Sequence, residues 1–255
     1  MSVLNDPDLE KLLERLHAQS SAQNEAVTGY FVTRAREGSL DWKGFDEGTH
    51  RFMADKLIAL ERDKAELCYQ LCRALRARRI VEVGTSFGVS TLYLAAAVRD
   101  NAREDGERPS EGRPERGQQA AAPRAVTRSG TKSIGTGVVI GTEYEPAKAR
   151  AARANWQEAG LTEWIELREG DLRETLRGLA GPIDFVLMDI WVEMARPALE
   201  RILPALRPGA IVVADNTNQF REPYADYFAL VNDPKSGLRT VTLPYEGGLE
   251  LTVKV

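Results

Sequence analysis

The sequence predicts a doubly wound α/β fold: a seven-stranded, mostly parallel sheet with an antiparallel last strand, preceded by N-terminal helices. From residue 79 onward, short β-branched runs alternate with helical patterns, which is typical of a parallel sheet covered by helices on both faces. The connection before the last run, at Gly247 and Gly248, is too short for a crossover, so that run is expected to be antiparallel. The predicted strands cover residues 79–83, 137–142, 164–168, 183–188, 210–214, 239–243 and 249–255.

Helical spacing of apolar residues predicts the other elements. Asp6 and Pro7 resemble an N-cap and a first helical residue, and they precede a stripe of leucines at 9, 12, 13 and 16. Further helices are expected over residues 49–78, 90–98, 146–160 and 196–206, with a loop over 37–48. We therefore expect an N-terminal helical extension, 1–48, and one main domain, 49–255.

Residues 99–135 interrupt the alternation of strands and helices. They are rich in charge, Gly, Pro, Ser and Ala, and such a segment buries too little apolar surface to offset its ordering entropy. The sequence predicts a flexible insertion within the main domain. It leaves open whether this insertion is a plain surface loop or a regulatory, partner-binding arm.

Composition excludes several classes of protein. The chain has 255 residues, 43% of them apolar, and a net charge of −4, which gives none of the basic excess of a nucleic-acid-binding protein. No apolar stretch is long enough to cross a membrane, and the N-terminus has no signal-peptide pattern, so we expect a cytoplasmic protein. Cys68 and Cys72 share a helix face and are expected to be core residues in a reducing compartment.

The first candidate site is the turn after the strand at 79–83. Glu82 precedes a loop with Gly84, Ser86, Gly88 and Ser90, and glycines there allow a ligand to approach the backbone. The glycine spacing is G-x-x-x-G, which differs from the G-x-G-x-x-G of dinucleotide sites. An acidic residue at this position disfavours a phosphate and suits a ligand that carries an ammonium and a sulfonium group.

The next two strand ends also carry acidic residues. Glu143 ends the second strand, where a carboxylate can accept hydrogen bonds from ribose hydroxyls. Gly170 and Asp171 follow the third strand. Asp171 could accept a hydrogen bond from an adenine amino group, or it could cap the next helix.

Asp189 ends the fourth strand, and Asp215 and Asn216 end the fifth. Parallel strands end at one edge of the sheet, so these side chains are expected to converge there. Two carboxylates and an amide oxygen make a hard ligand set that suits Mg²⁺. A purely structural pair of aspartates is the alternative.

Together these residues resemble the class I S-adenosylmethionine-dependent methyltransferases, and within them the catechol and caffeoyl-CoA O-methyltransferase group. The resemblance covers roughly residues 58–255 apart from the insertion, and it implies a Rossmann-like methyltransferase fold that methylates a hydroxyl of a small-molecule acceptor. It implies that S-adenosylmethionine is bound by the residues of the cofactor loop, the next two strand ends and the end of the fourth strand: Glu82, Gly84, Ser86, Gly88, Ser90, Glu143, Gly170, Asp171, Asp189 and Trp191. It also implies a Mg²⁺ site at Asp189, Asp215 and Asn216. Leu60 and Lys64 lie at distances from the cofactor loop that are similar to those in the family.

One position departs from the family pattern. The family often has a lysine general base soon after the first metal aspartate, where this chain has Val192. An aliphatic side chain cannot take a proton, so Asp189 and Glu193 become the candidate catalytic carboxylates. Three alternatives stay open: a metal-independent methyltransferase on another oxygen or nitrogen, a non-catalytic S-adenosylmethionine-binding protein, and an NAD-type oxidoreductase.

The acceptor pocket and the oligomeric state are less well defined. Trp42, Tyr69, Phe220 and Tyr224 are candidate lining residues, the last two because they follow the fifth strand. His17 is expected at the surface and His50 outside catalysis. The amphipathic N-terminal helix is compatible with a homodimer.

Overall fold

Seven strands form one sheet in this structure, a computed structural model that describes residues 3–40, 46–106 and 137–255. They are β1 (Arg79–Val83), β2 (Val138–Glu143), β3 (Ile165–Glu169), β4 (Ile183–Met188), β5 (Leu206–Asp215), β6 (Leu238–Leu243) and β7 (Leu249–Lys254). Their order is β3-β2-β1-β4-β5-β7-β6, with β1 to β5 parallel and β7 antiparallel to both of its neighbours. The predicted sheet is confirmed.

Helices cover both faces of the sheet. They are α1 (Pro7–Ser21), α2 (Asn24–Arg36), α3 (Glu47–Met53), α4 (Arg62–Ala74), α5 (Val89–Glu104), α6 (Pro146–Glu158), α7 (Leu172–Thr175), α8 (Val192–Ile202) and α9 (Ala225–Val231). Ile80 points into a buried cluster with α1, α4, α5 and α6, whereas its neighbour Val81 points into a second cluster with α7, α8 and α9. This follows from the two-residue period of a strand.

The N-terminal helix α1 packs into the first of these clusters. Asp6 accepts a hydrogen bond from the amide of Leu9 at 3.2 Å, and Pro7 occupies the first turn, as the sequence predicts. The four leucines of the predicted stripe are at most 5% exposed. The predicted helix is therefore confirmed, and its apolar face is buried against the body of the protein.

The prediction of a single helix over residues 49–78 is wrong. Between α3 and α4 lies a non-helical segment, residues 54–61, which we call the strap. The Gln23 side chain accepts a hydrogen bond from the amide of Leu57 at 3.2 Å, and Ser20 Oγ accepts one from the amide of Ala59 at 3.0 Å. The amides of Leu57 and Ala59 thus bind side chains from outside the strap instead of carbonyl groups within a helix. Leu57 and Leu60 are buried although their backbone is not helical. Their helical spacing was therefore misleading.

Other predicted boundaries also shift. Helix α5 continues to Glu104, so the insertion does not begin at residue 99: the Arg99 guanidinium pairs with Asp6 at 2.7 Å, and Asn101 donates hydrogen bonds to two backbone carbonyls. Residues 107–136 of the predicted insertion lie outside the described residues. Helix α8 begins at Val192 rather than at 196 and ends at Ile202, so that residues 206–209 belong to β5. Helices α2 and α9 were not predicted.

Several side-chain predictions can be compared with the structure. Cys68 and Cys72 are free thiols, both buried in α4, as predicted. His17 is not a surface residue: it is half-buried, and its Nε2 lies 3.0 Å from the hydroxyl of the buried Tyr93. In the part of the chain that the structure describes, none of the helices has the length and apolar character needed to cross a lipid bilayer.

Candidate active site

A pocket lies at the carboxyl end of β1. One wall is the loop between β1 and α5, the opposite wall is formed by strap residues 57–60, and Asp189 closes the end nearest β4. Parallel α/β sheets bind ligands at this edge. The fold thus brings the predicted cofactor loop and one predicted catalytic carboxylate into one cavity.

Two glycines fix the shape of the loop. Gly84 has φ +94°, and a Cβ on it would lie 1.9 Å from the carbonyl oxygen of Asp189. Gly88 has φ +76°, and a Cβ there would lie 2.3 Å from the indole nitrogen of Trp156. No side chain among the described residues caps α5, which begins directly after Gly88. The helix therefore presents its first amides, beside the pocket-lining Val89 and Ser90, to an anionic group.

Glu82 lies behind this loop rather than in the pocket wall. Its buried carboxylate accepts hydrogen bonds from three hydroxyls: Ser90 at 2.7 Å, Thr85 at 2.9 Å and Thr91 at 2.5 Å. Burial raises the pKa of Glu82 to about 7, although the hydroxyls oppose that shift. Glu82 supports the loop, and the ligand contact predicted for it would require one of these hydroxyls to give way.

Glu143 joins the loop to β2. Its carboxylate accepts hydrogen bonds from the amide of Ser86 and from the amide of Glu145, both at 2.7 Å. Ser86 has φ +50°, a left-handed conformation that orients its amide to Glu143. Burial raises the pKa of Glu143. The amide of Tyr144 is a third donor, and an ionised carboxylate has about four acceptor positions, so one remains for a hydroxyl donor of a ligand.

The loop after β3 lies beside Glu143. Gly170, with φ +118°, donates its amide to the carbonyl oxygen of Glu143 at 2.8 Å. Asp171 caps α7 by accepting from the amide of Arg173 at 2.8 Å, and its carboxylate also binds the Arg173 guanidinium. Of the two roles predicted for Asp171, the structure contains the capping role. The adenine contact remains a prediction.

Asp215 and Asn216 lie at the end of β5, and Asp215 is bound to a lysine. The Nζ of Lys64, on the first turn of α4, lies 2.6 Å from Asp215 Oδ1 and 2.8 Å from Glu61 Oε2. The Asn216 amide donates to Asp215 Oδ2 at 2.8 Å. Burial and the negative charge of Asp215 raise the pKa of Asp189 well above its usual range, so these two carboxylates interact.

This arrangement does not fit a divalent cation. Both oxygens of Asp215 are already bound by donors, and the Asn216 amide presents its NH₂ group to Asp215. Asn216 Oδ1 lies near Gly247 instead, since a Cβ on Gly247 would be 2.4 Å from it. In this arrangement the predicted Mg²⁺ ligands lie near one another with both oxygens of Asp215 bound by other donors, and the Mg²⁺ site at Asp189, Asp215 and Asn216 remains a prediction.

Helix α8 begins soon after Asp189. Trp191 is its N-cap position, and Val192 and Glu193 form its first turn, all three half-buried. Val192 packs at the edge of the second apolar cluster. The position of the family lysine is thus occupied by an aliphatic side chain that contributes to the core.

Two predicted acceptor-pocket residues are structural instead. The Tyr224 hydroxyl donates to the backbone carbonyl of Asp215 at 3.1 Å, and the Tyr69 hydroxyl donates to Asp100 at 2.9 Å, which ties α4 to α5. Both rings are buried. Phe220 is half-buried against the second apolar cluster, and Trp42 lies outside the described residues.

The sequence interpretation missed one wall of the pocket and two contacts outside its lining. The strap was taken for a helix, so its role as a wall was not foreseen. Lys148, on the first turn of α6, is half-buried and places its ammonium 5.9 Å from the ring centroid of the pocket-lining Phe87. His50 contacts Glu145 at 2.5 Å, which holds α3 against the loop after β2. Lys148 could have been noticed in the sequence, because it is a cation two residues after Pro146, in the first turn of a predicted helix. The contact of His50 could not, because its partner Glu145 is distant in sequence.

Comparison with known proteins identifies the class to which this fold and site belong. The family described as "Methyltransferase domain" matches residues 81–217, which is more than half of the chain. The chain belongs to this methyltransferase family.

Two individual relatives with similar sequences are both catechol O-methyltransferases. The chain is 29% identical over 160 residues to a catechol O-methyltransferase of Mycobacterium tuberculosis. The matched stretch covers 62% of this chain and 57% of the relative. It is 28% identical over 155 residues to a catechol O-methyltransferase of Niastella koreensis. That matched stretch covers 59% of this chain and 53% of the relative. The chain thus spans little more than half the length of these curated relatives.

Solved structures agree in fold. A cofactor-bound protein of M. tuberculosis has a TM-score of 0.60 at 24% identity, covering 81% of this chain and 86% of that one. The O-methyltransferase TomG from Streptomyces achromogenes, in complex with S-adenosylmethionine, has a TM-score of 0.60 at 21% identity, covering 88% and 96%. At these identities the likeness supports the Rossmann-like methyltransferase fold.

Proposed function

We propose that this chain is an S-adenosylmethionine-dependent O-methyltransferase that acts on a hydroxyl of a small-molecule acceptor. The observation that carries the proposal is that the uncapped start of α5 and Asp189 line one cavity at the carboxyl edge of the sheet, and that Glu143 binds the amide of the pocket-lining Ser86. The family match and the names of the relatives support the same reaction class.

Each of these groups suits one part of the methyl donor. The first amides of α5 would bind its carboxylate, since helix N-termini attract anions. Asp189, which lines the pocket, would bind its cationic amino-acid end. The remaining acceptor position of Glu143 would bind a ribose hydroxyl. Glu82, with its three hydroxyl partners, keeps the loop in the shape that this binding requires.

When bound, the sulfonium of S-adenosylmethionine supplies the methyl group: a carbon–oxygen bond to the acceptor forms, the carbon–sulfur bond breaks, and the hydroxyl proton leaves to a base. The chain contributes orientation and exclusion of water, which supply much of the acceleration in such displacements. Strap residues 57–60 and the cofactor loop wall the pocket from both sides. Glu193, on the first turn of α8, and Asp189 remain the proposed proton acceptors.

A metal-assisted reaction is the second candidate. The observation in its favour is that Asp189 and Asp215 lie close enough for the negative charge of Asp215, together with burial, to raise the pKa of Asp189. The occupied oxygens of Asp215 count against it. The location in the cytoplasm and a homodimer remain predictions from the sequence.

The proposal is tested first by calorimetry with S-adenosylmethionine and S-adenosylhomocysteine. We expect binding of both and none of NADH. Glu143→Gln should weaken binding, while Glu169→Gln should not, because Glu169 ends the neighbouring strand β3 and pairs with Arg153 at 2.6 Å. Absence of binding by the wild-type protein would refute the proposal.

Turnover is tested separately. Transfer of a tritiated methyl group to a panel of catechols, single phenols and amines should label hydroxyl-bearing acceptors. Binding without labelling of any acceptor would favour a non-catalytic binding protein, and labelling of amines alone would contradict O-methylation.

A further inference from the structure

The pair Asp189 and Asp215 places two carboxylates at neighbouring strand ends, and such a pair needs a positive charge nearby. Lys64 is the cation that the structure provides. Its side chain is fully buried, and its ammonium lies 2.6 Å from Asp215 and 2.8 Å from Glu61. A buried ammonium is costly unless it is paired, and here the carboxylates of Asp215 and Glu61 both pair with it.

The second carboxylate oxygen of Asp215 is also bound. Asn216 donates its amide to it at 2.8 Å, from a left-handed backbone conformation with φ +56°. The carbonyl oxygen of the Asn216 side chain lies close to Gly247 in the turn between β6 and β7. A metal ion would need this amide to turn over and Lys64 to leave Asp215, and the displaced ammonium would stay buried with Glu61 as its remaining partner.

The α8 helix supplies no cation at the corresponding place. Val192 is three residues after Asp189, and it packs against the second apolar cluster. Lys64 approaches the same carboxylates from α4, on the opposite face of the sheet. The positive charge that the described residues bring to this site therefore comes from α4 and not from the start of α8.

We infer that the Lys64 ammonium takes the place of a divalent metal ion at the Asp189–Asp215 pair, so that this protein performs its reaction without bound Mg²⁺. The inference rests on the proposed methyltransferase function. Lys64 acts through Asp215, which it neutralises and holds in place, and is thus a positioning residue.

The test uses Mn²⁺ as the metal probe, measured by electron paramagnetic resonance on the complex of the full chain with S-adenosylhomocysteine. Wild-type protein should bind no Mn²⁺ at this site at millimolar concentration. Lys64→Met removes the charge but keeps an unbranched side chain, and it should gain Mn²⁺ affinity by about tenfold or more, because Asp215 Oδ1 becomes free for the ion. Adding Asp215→Asn to Lys64→Met should remove that gain.

Controls separate this result from loss of structure and from failure of the proposed function. Lys235→Met removes an exposed lysine and should leave Mn²⁺ binding at the wild-type level. Affinity for S-adenosylhomocysteine reports the folding of each variant. Where Lys64→Met does not fold, Glu61→Gln is used, which removes only the more exposed partner of Lys64. Because Lys64 still pairs with Asp215, this variant should bind no Mn²⁺, and Mn²⁺ binding by it would contradict the inference. A wild-type protein that binds no S-adenosylhomocysteine overturns the methyltransferase proposal itself.

Activity gives an independent readout. With an acceptor in hand, wild-type turnover should change less than about twofold between excess EDTA and millimolar Mg²⁺, since charge at the site is already balanced. The inference is overturned if EDTA abolishes turnover that Mg²⁺ restores, or if wild-type protein binds one Mn²⁺ that Asp215→Asn removes.

Discussion

Gly84 shows how one residue can determine the shape of the pocket. Its backbone lies so near β4 that the Asp189 carbonyl occupies the place of a side chain, and its φ of +94° disfavours any other residue. The left-handed conformation alone costs a non-glycine residue about 1–2 kcal/mol. The clash with Asp189 adds to this cost.

We predict that Gly84→Ala destabilises the fold by clearly more than that conformational cost. Gly160→Ala is the matched control, because Gly160 also has a positive φ, +63°, yet a Cβ there would meet no described atom within 4 Å. Unfolding in guanidinium, followed by circular dichroism, compares the two. Equal losses of unfolding free energy would show that the close approach to Asp189 is absent.

Glu82 makes stability depend on pH. Burial raises its pKa from the ordinary 4.5 to about 7, so the folded protein binds this proton more tightly than the unfolded chain does. Its favourable contribution is complete below about pH 4.5 and is lost as the pH rises through about 7. We predict that Glu82→Gln removes this dependence, so that the variant gains up to about 3 kcal/mol relative to wild type between pH 5 and pH 8.

The measurement is urea unfolding of both proteins at each pH. Glu143, Asp189 and Asp215 titrate in both proteins, and the part of their contribution that does not depend on the charge of Glu82 cancels in the difference. A difference in unfolding free energy that does not change with pH would contradict the raised pKa of Glu82.

At the scale of elements, the strap joins α1 to the pocket. Ser20, near the end of α1, binds the amide of Ala59, whose segment forms one pocket wall. We predict that Ser20→Ala costs about 1 kcal/mol of stability and speeds hydrogen exchange across residues 57–60. Ser21→Ala is the control, since Ser21 is exposed on the same helix. Identical exchange in the two variants would show that the strap is held by other contacts.

The sequence was sufficient to predict elements whose signal is local. The β-branched runs around Val81 and Val186 became parallel strands, and the leucine stripe of α1 became a buried face. The strap was not predictable in this way, because Leu57 and Leu60 are spaced as in a helix while their amides are satisfied by side chains from α1. Such partners lie more than thirty residues away along the chain.

For the candidate site too, features with a local sequence signal were predicted and contacts between distant residues were not. Acidic residues at strand ends, such as Glu143 and Asp189, were identified because a parallel sheet brings its carboxyl ends together. The pairing of Asp215 with Lys64 was not identified, although the sequence analysis names both residues. The two residues lie 151 positions apart along the chain, so no local pattern links them. The support that Glu82 receives from three hydroxyls was missed because hydrogen-bond direction cannot be read from residue spacing.

For the whole molecule, ligand binding should appear as added stability. A ligand that binds only the folded state contributes about 2.7 kcal/mol at a concentration 100 times its dissociation constant. For a chain of this length, we predict that S-adenosylhomocysteine then raises the melting temperature by about 5–10 °C. Differential scanning fluorimetry measures this, with Glu143→Gln as the variant expected to show a smaller rise. An unchanged melting temperature at saturation would contradict binding to the folded state.

The described chain leaves the body at Gly106 and returns at Gly137, and both points lie at the amino edge of the sheet. Asp105 pairs there with Arg76 and Arg78, just ahead of β1, and the amide of Val138 binds the carbonyl of Arg78. Catalysis is assigned to the opposite edge. A reporter domain or an affinity handle inserted between Gly106 and Gly137 would therefore be attached at the edge of the sheet opposite the pocket.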